Sequence, residues 1–428
     1  MKRSMAMVLL VFLIFFVISF LTNILGPLVP DIIKGFSLSL TLAGFLPFSF
    51  FVAYGVMSIP AGVLLERFGH KPILVAAFVL AFGGAFLFAS FPTFSVALVS
   101  LFAIGIGMTM LQVAINPLLR VAGGEEHFAF FSVMAQLVFG SASFLSPHVY
   151  SYLVTHLQAE PRPAGGALGL LAGIVPRELP WVSLYWVFTV VAAVMVLVLA
   201  SVRLPKVELK ADERSGGASS YRELLRNRYV WLFFFGIFAY VGTEQGVANW
   251  VSRFLEVYHG LDPQVEGART VSYFWGLMTA GCLLGLLLLK LIDARRVLVG
   301  FTAAAMLSLG VALAGPTSVS RIAFMAVGFF LSVMWSIVFS LALNSVAEHH
   351  GSFSGILCTG IVGGAVVSWL VGAIGDQLGL RAGMMLLFLT LGYIFSIGLW
   401  AKPLVNNATV SPRELLAGLA GRGKAERR

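Results

Sequence analysis

Cysteine and charge are scarce in this sequence. Among its 428 residues there are 2 cysteines, Cys282 and Cys358, each inside an apolar run. That excludes a disulfide framework and leaves two free thiols. Asp, Glu, Lys and Arg together make up 11% of the chain, while 59% is hydrophobic and the mean hydropathy is +0.95. Soluble domains carry about 25% charged residues, so the composition is that of a polytopic membrane protein whose main partner is the lipid bilayer. The 7 histidines are scattered, and His349-His350 is an isolated pair in a loop. No His-Glu-x-x-His or Gly-x-Ser-x-Gly run occurs, and the single mid-membrane carboxylate leaves no acidic dyad. The chain therefore reads as no enzyme, with no metal or other cofactor.

A net charge of +9 does not make a nucleic-acid binder here. The positive charge sits in Lys2-Arg3, in the segment Arg203–Arg228 and in the tail ending Arg427-Arg428, with no long basic helix carrying interleaved aromatics. It reads as membrane topology.

Runs of about 20 apolar residues or more give twelve spans, at 5–29, 40–65, 73–91, 94–117, 128–155, 181–202, 229–258, 270–292, 297–315, 321–346, 352–375 and 382–402. The first is too long for a signal-peptide core and no small-residue cleavage site follows it. With the N-terminus cytoplasmic, the inside loops and tail hold 21 of the 28 Lys and Arg, which puts both termini inside the plasma membrane of a bacterial cell. The polar interruption 203–228 divides the chain into a six-span bundle 1–202 and a second one 229–402, with a tail 403–428. Ser220-Tyr-Arg-Glu223 has capping-box spacing and should start a short helix before span seven; Ser411-Pro-Arg-Glu414 should do the same before Leu415, Leu416 and Leu419 in the tail.

Polar side chains at membrane depth are more informative. Of the 19 acidic residues, Glu244 is the one placed well inside an apolar segment, in Tyr240-Val-Gly-Thr-Glu-Gln-Gly-Val-Ala-Asn-Trp250. An ionised carboxylate in hydrocarbon costs at least ~2.5–3.5 kcal/mol, so it faces a wet cavity or a partner. The alternative is a protonated Glu244 bonded in helix packing. Gln245, Asn249 and Arg253 follow at i, i+4, i+8 on one helical face. Span one adds Asn23, span four Gln112 and Asn116, and span ten Asn344, whereas spans three, six, nine and twelve have no Asn, Gln, Asp or Glu. Polarity in every third span suggests four three-span units inside two halves, the pattern of an alternating-access carrier. Gln136 and His148 in span five are the exceptions.

Between spans two and three, Gly62-Val-Leu-Leu-Glu66-Arg67-Phe-Gly69-His70-Lys71 resembles the cytoplasmic signature of the major facilitator superfamily. Glu66, Arg67, His70 and Lys71 would form a charge-assisted latch across the inner gate. Asp293-Ala-Arg295-Arg296 is a weaker echo in the second half, and a plain positive-inside turn is the bland reading of both. Within that superfamily, several stretches resemble the fucose–galactose–glucose symporter family. They are Leu111-Gln-Val-Ala-Ile-Asn-Pro117 on helix four, Ala135-Gln136 on helix five, Tyr240-Val-Gly-Thr-Glu244 on helix seven, Phe339-Ser-Leu-Ala342 and Gly360-Ile-Val-Gly-Gly-Ala365.

The resemblance implies an all-α membrane protein of twelve helices in two pseudo-symmetric six-helix bundles, with helices one, four, seven and ten lining a central cavity. Carried over by position, Asn23, Gln112, Asn116 and Gln136 would bind the solute and Glu244 would couple transport. Amides suit sugar hydroxyls because they offer both donors and an acceptor, and Gln245 and Asn249 belong to the same polar stripe. Trp250, Trp275 and Trp335 are candidates to stack on a sugar face; packing or interfacial anchoring is the commoner use of tryptophan in membrane helices.

Departures matter as much. Proton-coupled fucose permeases of this family carry an Asp on helix one and a Glu on helix four, at positions that are Asn23 and Gln112 here. Phe131, Phe139 and Ser336 replace an Arg, an Asn and a Pro of the family pattern. Coupling then rests on Glu244, with a proton or a sodium ion as the candidate cation and uncoupled uniport as the third option. Arg253 pairs more naturally with Glu256 than with Glu244, which lies ~13 Å away along the helix. The reading is a monomeric carrier of a monosaccharide or similar polyhydroxylated solute. Its rival is an exporter of drugs or lipids, towards which Phe131 and Phe139 lean. A receptor built from a carrier lacks an output domain here.

Overall fold

In the computed structural model, residues 5–124, 127–204, 218–346 and 348–404 are described. Twelve helical spans long and apolar enough to cross a membrane are found among them: Met5–Phe36, Leu40–Phe68, His70–Ser90, Phe94–Gly123, Phe130–Gln158, Pro180–Ser201, Arg228–His259, Pro263–Leu291, Ala294–Ala314, Thr317–Leu343, Gly351–Leu378 and Leu380–Trp400. They are numbered one to twelve here. Neighbouring spans run antiparallel, so the start of span one, the end of span six, the start of span seven and the end of span twelve share one face, called the linker face. The opposite one is the distal face. Large side chains such as Leu197, Leu307, Leu389 and Leu399 stay exposed on the outside. A belt of that kind needs an apolar solvent.

Hydroxyl and carboxylate caps start several spans: Ser39 accepts from the Leu42 amide, Thr93 from Val96 and Asp293 from Arg295. Span one runs to Phe36, seven residues beyond the expected end, and is interrupted between Thr22 and Leu25. Span ten is interrupted in the same way between Leu331 and Met334. The second break frees the Ser332 carbonyl, which accepts the Cys282 thiol of span eight at 3.3 Å. Gly281 and Gly285 let span eight approach that break, since a Cβ on either would collide with Ser332 or Val333. The loop between spans five and six holds an exposed short helix, Gly166–Ile174. The helix before span seven covers Ala218–Leu224. It thus begins two residues ahead of Ser220, which lies inside it rather than capping it. The second capping box, Ser411 to Glu414, lies outside the described residues.

Buried apolar side chains form two cores. One draws on Met7–Leu199 with Ala268 and Ala365; the other draws on Leu224–Ala401 with Val29, Ile33 and Ala43. The few crossings are where the halves touch. Along the seam between spans two and eleven, a Cβ on Gly372 would lie 2.5 Å from the Leu40 carbonyl, and one on Gly44 3.0 Å from Trp369. Nearer the linker face the gaps widen, to 3.2 Å for Gly55 against Val362 and 3.8 Å for Gly355 against Ile59. Polar bonds close the distal end of the same seam, where Asp376 accepts from the Leu40 amide at 2.8 Å and the Thr41 amide at 2.7 Å. Lys34 meets Glu256 across the halves at 2.5 Å. The molecule is shut at its distal face.

Candidate functional site

Span seven is a continuous helix from Arg228 to His259, and Glu244 sits at its middle. Tyr240, one turn earlier, is on the same face, and its hydroxyl donates to Glu244 Oε2 at 2.5 Å. Gln245 Nε2 donates to Oε1 at 3.0 Å. The carboxylate is half-buried and bonded by these two neutral donors. Beside it stands an aromatic wall from span ten: the Trp335 ring is 6.0 Å from Tyr240 and stacks on Phe339 at 5.7 Å. Behind it, Thr243 and Thr390 share a 2.6 Å hydroxyl bond that fixes span seven to span twelve. The Gln245 stem packs against Gly364 of span eleven, where Phe51 of span two also arrives. Residues of both halves thus meet within a turn of Glu244.

From there towards the linker face, polar side chains are left open. Gln112 is half-buried and Asn116, one turn on, is exposed. Ser336 and Ser340 are exposed at the same i, i+4 spacing on span ten, and Asn344 continues the row with a 3.4 Å bond to Ser340. Gln136 is also exposed. It lies one turn from Gly140, where a Cβ would strike Thr279 of span eight, so it is on the face that meets the other half. The two helices touch at Gly140, and Gln136 is left exposed one turn nearer the linker face. These exposed or half-exposed polar groups all lie on the linker side of the depth of Glu244.

Four of the candidate amide and indole groups are enclosed in helix contacts instead. Asn23 Nδ2 donates to Ser143 at 2.8 Å, and Ser143 shares a 2.6 Å bond with Ser19. Asn249 donates to Ser368 at 3.3 Å, and Trp250 Nε1 donates to the Ser368 carbonyl at 2.9 Å. Trp250 is 1% exposed, with its ring edge over Gly372. Small residues on spans five and eleven allow close approach and supply the acceptors, so these side chains are committed to helix contacts in this conformation. Trp250 therefore presents no ring face to a solute here. Trp275 is likewise buried, against Phe274.

At the linker face, Gly69 takes φ +79°, a left-handed turn that favours glycine. Glu66 is exposed, Arg67 lies over the Phe68 ring at 5.3 Å, and His70 is buried. Lys71 Nζ donates to the Ala200 and Val202 carbonyls, both at 2.8 Å. Those carbonyls end span six, in the same half, so the cross-gate bond expected of Lys71 is not made in this conformation. Four unpaired carbonyls end any helix, and an ammonium is a natural cap for them. The echo motif does the same job. Arg295 Nη1 donates to the Ala401 carbonyl, which follows span twelve, at 3.3 Å. Burial pushes the Asp293 carboxyl up, but bonds from the Arg295 side chain and amide outweigh it and hold the group below the usual carboxylate range.

Sequence reasoning missed Asp31. It is 6% exposed and lies on the second segment of span one. Tyr150 of span five donates to its Oδ2 at 2.5 Å, and Gln264, at the start of span eight, donates to Oδ1 at 3.0 Å. The hydroxyls of Ser19, Ser143 and Ser368 were missed as well. Arg253 pairs with Glu256 at 2.6 Å, as its spacing from Glu244 required.

Comparison with known proteins agrees with this architecture. A glucose/galactose transporter of Brucella abortus is 30% identical over 400 residues, covering 90% of this chain and 92% of that one. The L-fucose-proton symporter of Escherichia coli is 25% identical over 390 residues, 86% of each chain. A crystal structure of the E. coli fucose:proton symporter superposes with a TM-score of 0.66 at 20% identity, covering 94% of this chain and all of that one. The description of the Major Facilitator Superfamily matches residues 11–368. Twelve apolar helices, breaks in spans one and ten, and that match identify the chain as a multi-pass membrane protein that belongs to the Major Facilitator Superfamily.

Proposed function

We propose that this protein is a monomeric secondary carrier that moves a monosaccharide, or a similarly hydroxylated small solute, by alternating access with a coupled cation. The bodies that rock are 1–202 and 229–402, joined through 203–228, with both termini and the tail 403–428 on the cytoplasmic side of the plasma membrane. The observation that carries the coupling role is Glu244, half-buried at mid-span and held by neutral donors. Among the described residues no cation is bonded to it, so a co-transported proton or sodium ion would supply the missing positive charge. Gln112, Asn116 and Gln136 offer amide donors and acceptors to hydroxyls along the linker-side approach, and Trp335 offers an apolar face. Names of relatives, a glucose/galactose transporter and an L-fucose-proton symporter, support a sugar as the solute. The exporter alternative loses one of its supports: Phe131 lies over Gly123 and 6.3 Å from Phe12, inside the core of its own half.

The test is uptake of a sugar panel into proteoliposomes under an imposed proton or sodium gradient. One gradient should drive uptake, and Glu244→Gln should abolish that dependence. Asn116→Ala should raise KM while leaving the protein folded. A variant at Glu244 that keeps the wild-type gradient dependence removes the carboxylate from coupling. A panel in which lipophilic cations compete and sugars do not removes the sugar.

A further inference from the structure

Three acidic side chains hold the distal face shut across the halves, and they are not equivalent. Asp376 is exposed and bonded to the Leu40 and Thr41 amides and the Thr41 hydroxyl. Glu256 is bonded by two cations, Lys34 and Arg253. Asp31 is buried, and its bonds come from a phenol and an amide. Tyr150 belongs to the same half, but Gln264 belongs to the other and donates to both carboxylate oxygens, at 3.0 and 3.2 Å. Asp31 and Gln264 also lead out: a cavity of about 440 Å³ on the distal side is lined by these two with Lys34, Gln158, Glu178 and Trp181. That volume has room for several waters beside Asp31 and Gln264.

We propose that Asp31 is a second proton-binding group of the carrier, loaded from this distal vestibule, and that its protonation loosens the bond between the halves that keeps the distal face closed. The inference rests on the alternating-access reading above and adds a second carboxylate to Glu244. As a carboxylate, Asp31 is acceptor-only and takes all three donations. One proton from vestibule water converts one oxygen into a hydroxyl, which is a donor facing donors. Tyr150 can turn its hydroxyl to accept, since a phenol does both. The Gln264 NH₂ can only donate, and it keeps one neutral acceptor in place of two charged ones. Charge-assisted bonds are roughly twice as strong as neutral ones, so the contact that crosses the halves weakens most. A proton arriving from outside thus favours opening to the outside.

Other groups facing this corner are Lys34 on span one, Tyr150 and His148 on span five, Arg253 and Glu256 on span seven, and Asp262, Glu266 and Arg269 around the start of span eight. Glu266 is engaged by Arg269 and Arg321. His148 is the group among these whose ordinary titration falls nearest neutral pH, so it needs its own control.

The experiment uses the full-length protein in proteoliposomes, with Cys282→Ser and Cys358→Ser, and a single cysteine replacing Val29, which is 1% exposed beneath the latch. A membrane-impermeant maleimide reports distal opening, with rates corrected for the reagent's own pH dependence on a fully exposed control cysteine. Acidifying the outside should raise labelling, by about tenfold once the charged bonds have become neutral ones. Asp31→Asn should label at the acid rate at every pH, and His148→Gln should keep the wild-type profile. Gln264→Glu should reverse the sign, because two carboxylates repel when both are charged and hold together when they share one proton. A flat wild-type profile, a profile retained in Asp31→Asn, or a Gln264→Glu profile of unchanged sign would overturn the proposal. Should Asp31→Asn fail to fold, the Gln264→Glu sign decides. A pH-dependent gate in a protein that transports no sugar would leave this inference standing and sink the choice of solute.

Discussion

A methyl group on Gly26 tests how the distal face closes. The Cβ of Gly26→Ala would lie 2.0 Å from the Ala248 carbonyl oxygen and 3.0 Å from its carbon. Both are backbone atoms of span seven and cannot rotate away. Reaching even the shortest tolerable contact requires spans one and seven to part by about 1 Å. Those helices belong to different halves, and beyond Gly26 the side chains of Val29 and Ile33 are inserted in the core of the second half. Overpacking of this kind costs ~1–3 kcal/mol, which as a coupling free energy is about 5–150-fold in population. The closed state carries that cost alone, since the contact does not exist once the halves separate. In the Val29 cysteine background described above, Gly26→Ala should label at least ~5-fold faster at neutral pH. Wild-type labelling together with wild-type uptake would refute the reasoning, because it would mean that the two helices absorb the methyl without parting.

Tyr240→Phe deletes the hydroxyl that bonds Glu244 and keeps the ring beside Trp335. A hydrogen bond to a charged group is worth ~1.5–3 kcal/mol, so gradient-driven uptake should fall by about tenfold or more with little change in thermal stability. Lys71→Ala leaves the end of span six without its ammonium and should lower Tm by about 2–4 °C, with Lys71→Arg restoring most of it. Asp293 gives a pH prediction whose sign is fixed. Its folded-state value is depressed, so its stabilising effect is complete above the unfolded value of about 3.9 and disappears as pH falls through the lower folded one. The Tm difference between wild type and Asp293→Asn should stay constant from neutral pH to about pH 5 and close only below about pH 4.

Spans were legible because each is an unbroken apolar run long enough for a bilayer, and the two-core packing follows from there being two sets of such runs. The interruptions at Asn23 and Ser332 were not legible. Both lie within continuous apolar stretches, and the Cys282 thiol that takes up the Ser332 carbonyl is 50 positions away. Asp31 escaped notice because Pro27, Pro30, Lys34 and Gly35 around it spell a loop, yet the helix continues to Phe36. Pro30 takes away the donor that the Gly26 carbonyl would otherwise accept, and the helix continues past it all the same. Among the amides, Gln112 and Asn249 look alike in the sequence. A helix inside a bundle has polar positions towards both a cavity and a neighbour, and only the neighbour's serine tells them apart. Counting Asn, Gln, Asp and Glu alone passed over Ser143 and Ser368, the hydroxyls that occupy Asn23 and Asn249.

Lys71 and Arg295 each tie the return of a two-span hairpin to the end of the final helix of its own half. Each lobe is thereby stitched third helix to sixth by its own side chains. Covalent continuity between the lobes is then dispensable for their internal order. Two separate polypeptides, divided anywhere in 205–217 so that Ala218–Leu224 stays with the second, should insert independently and reassemble into a working pair when made together in one cell.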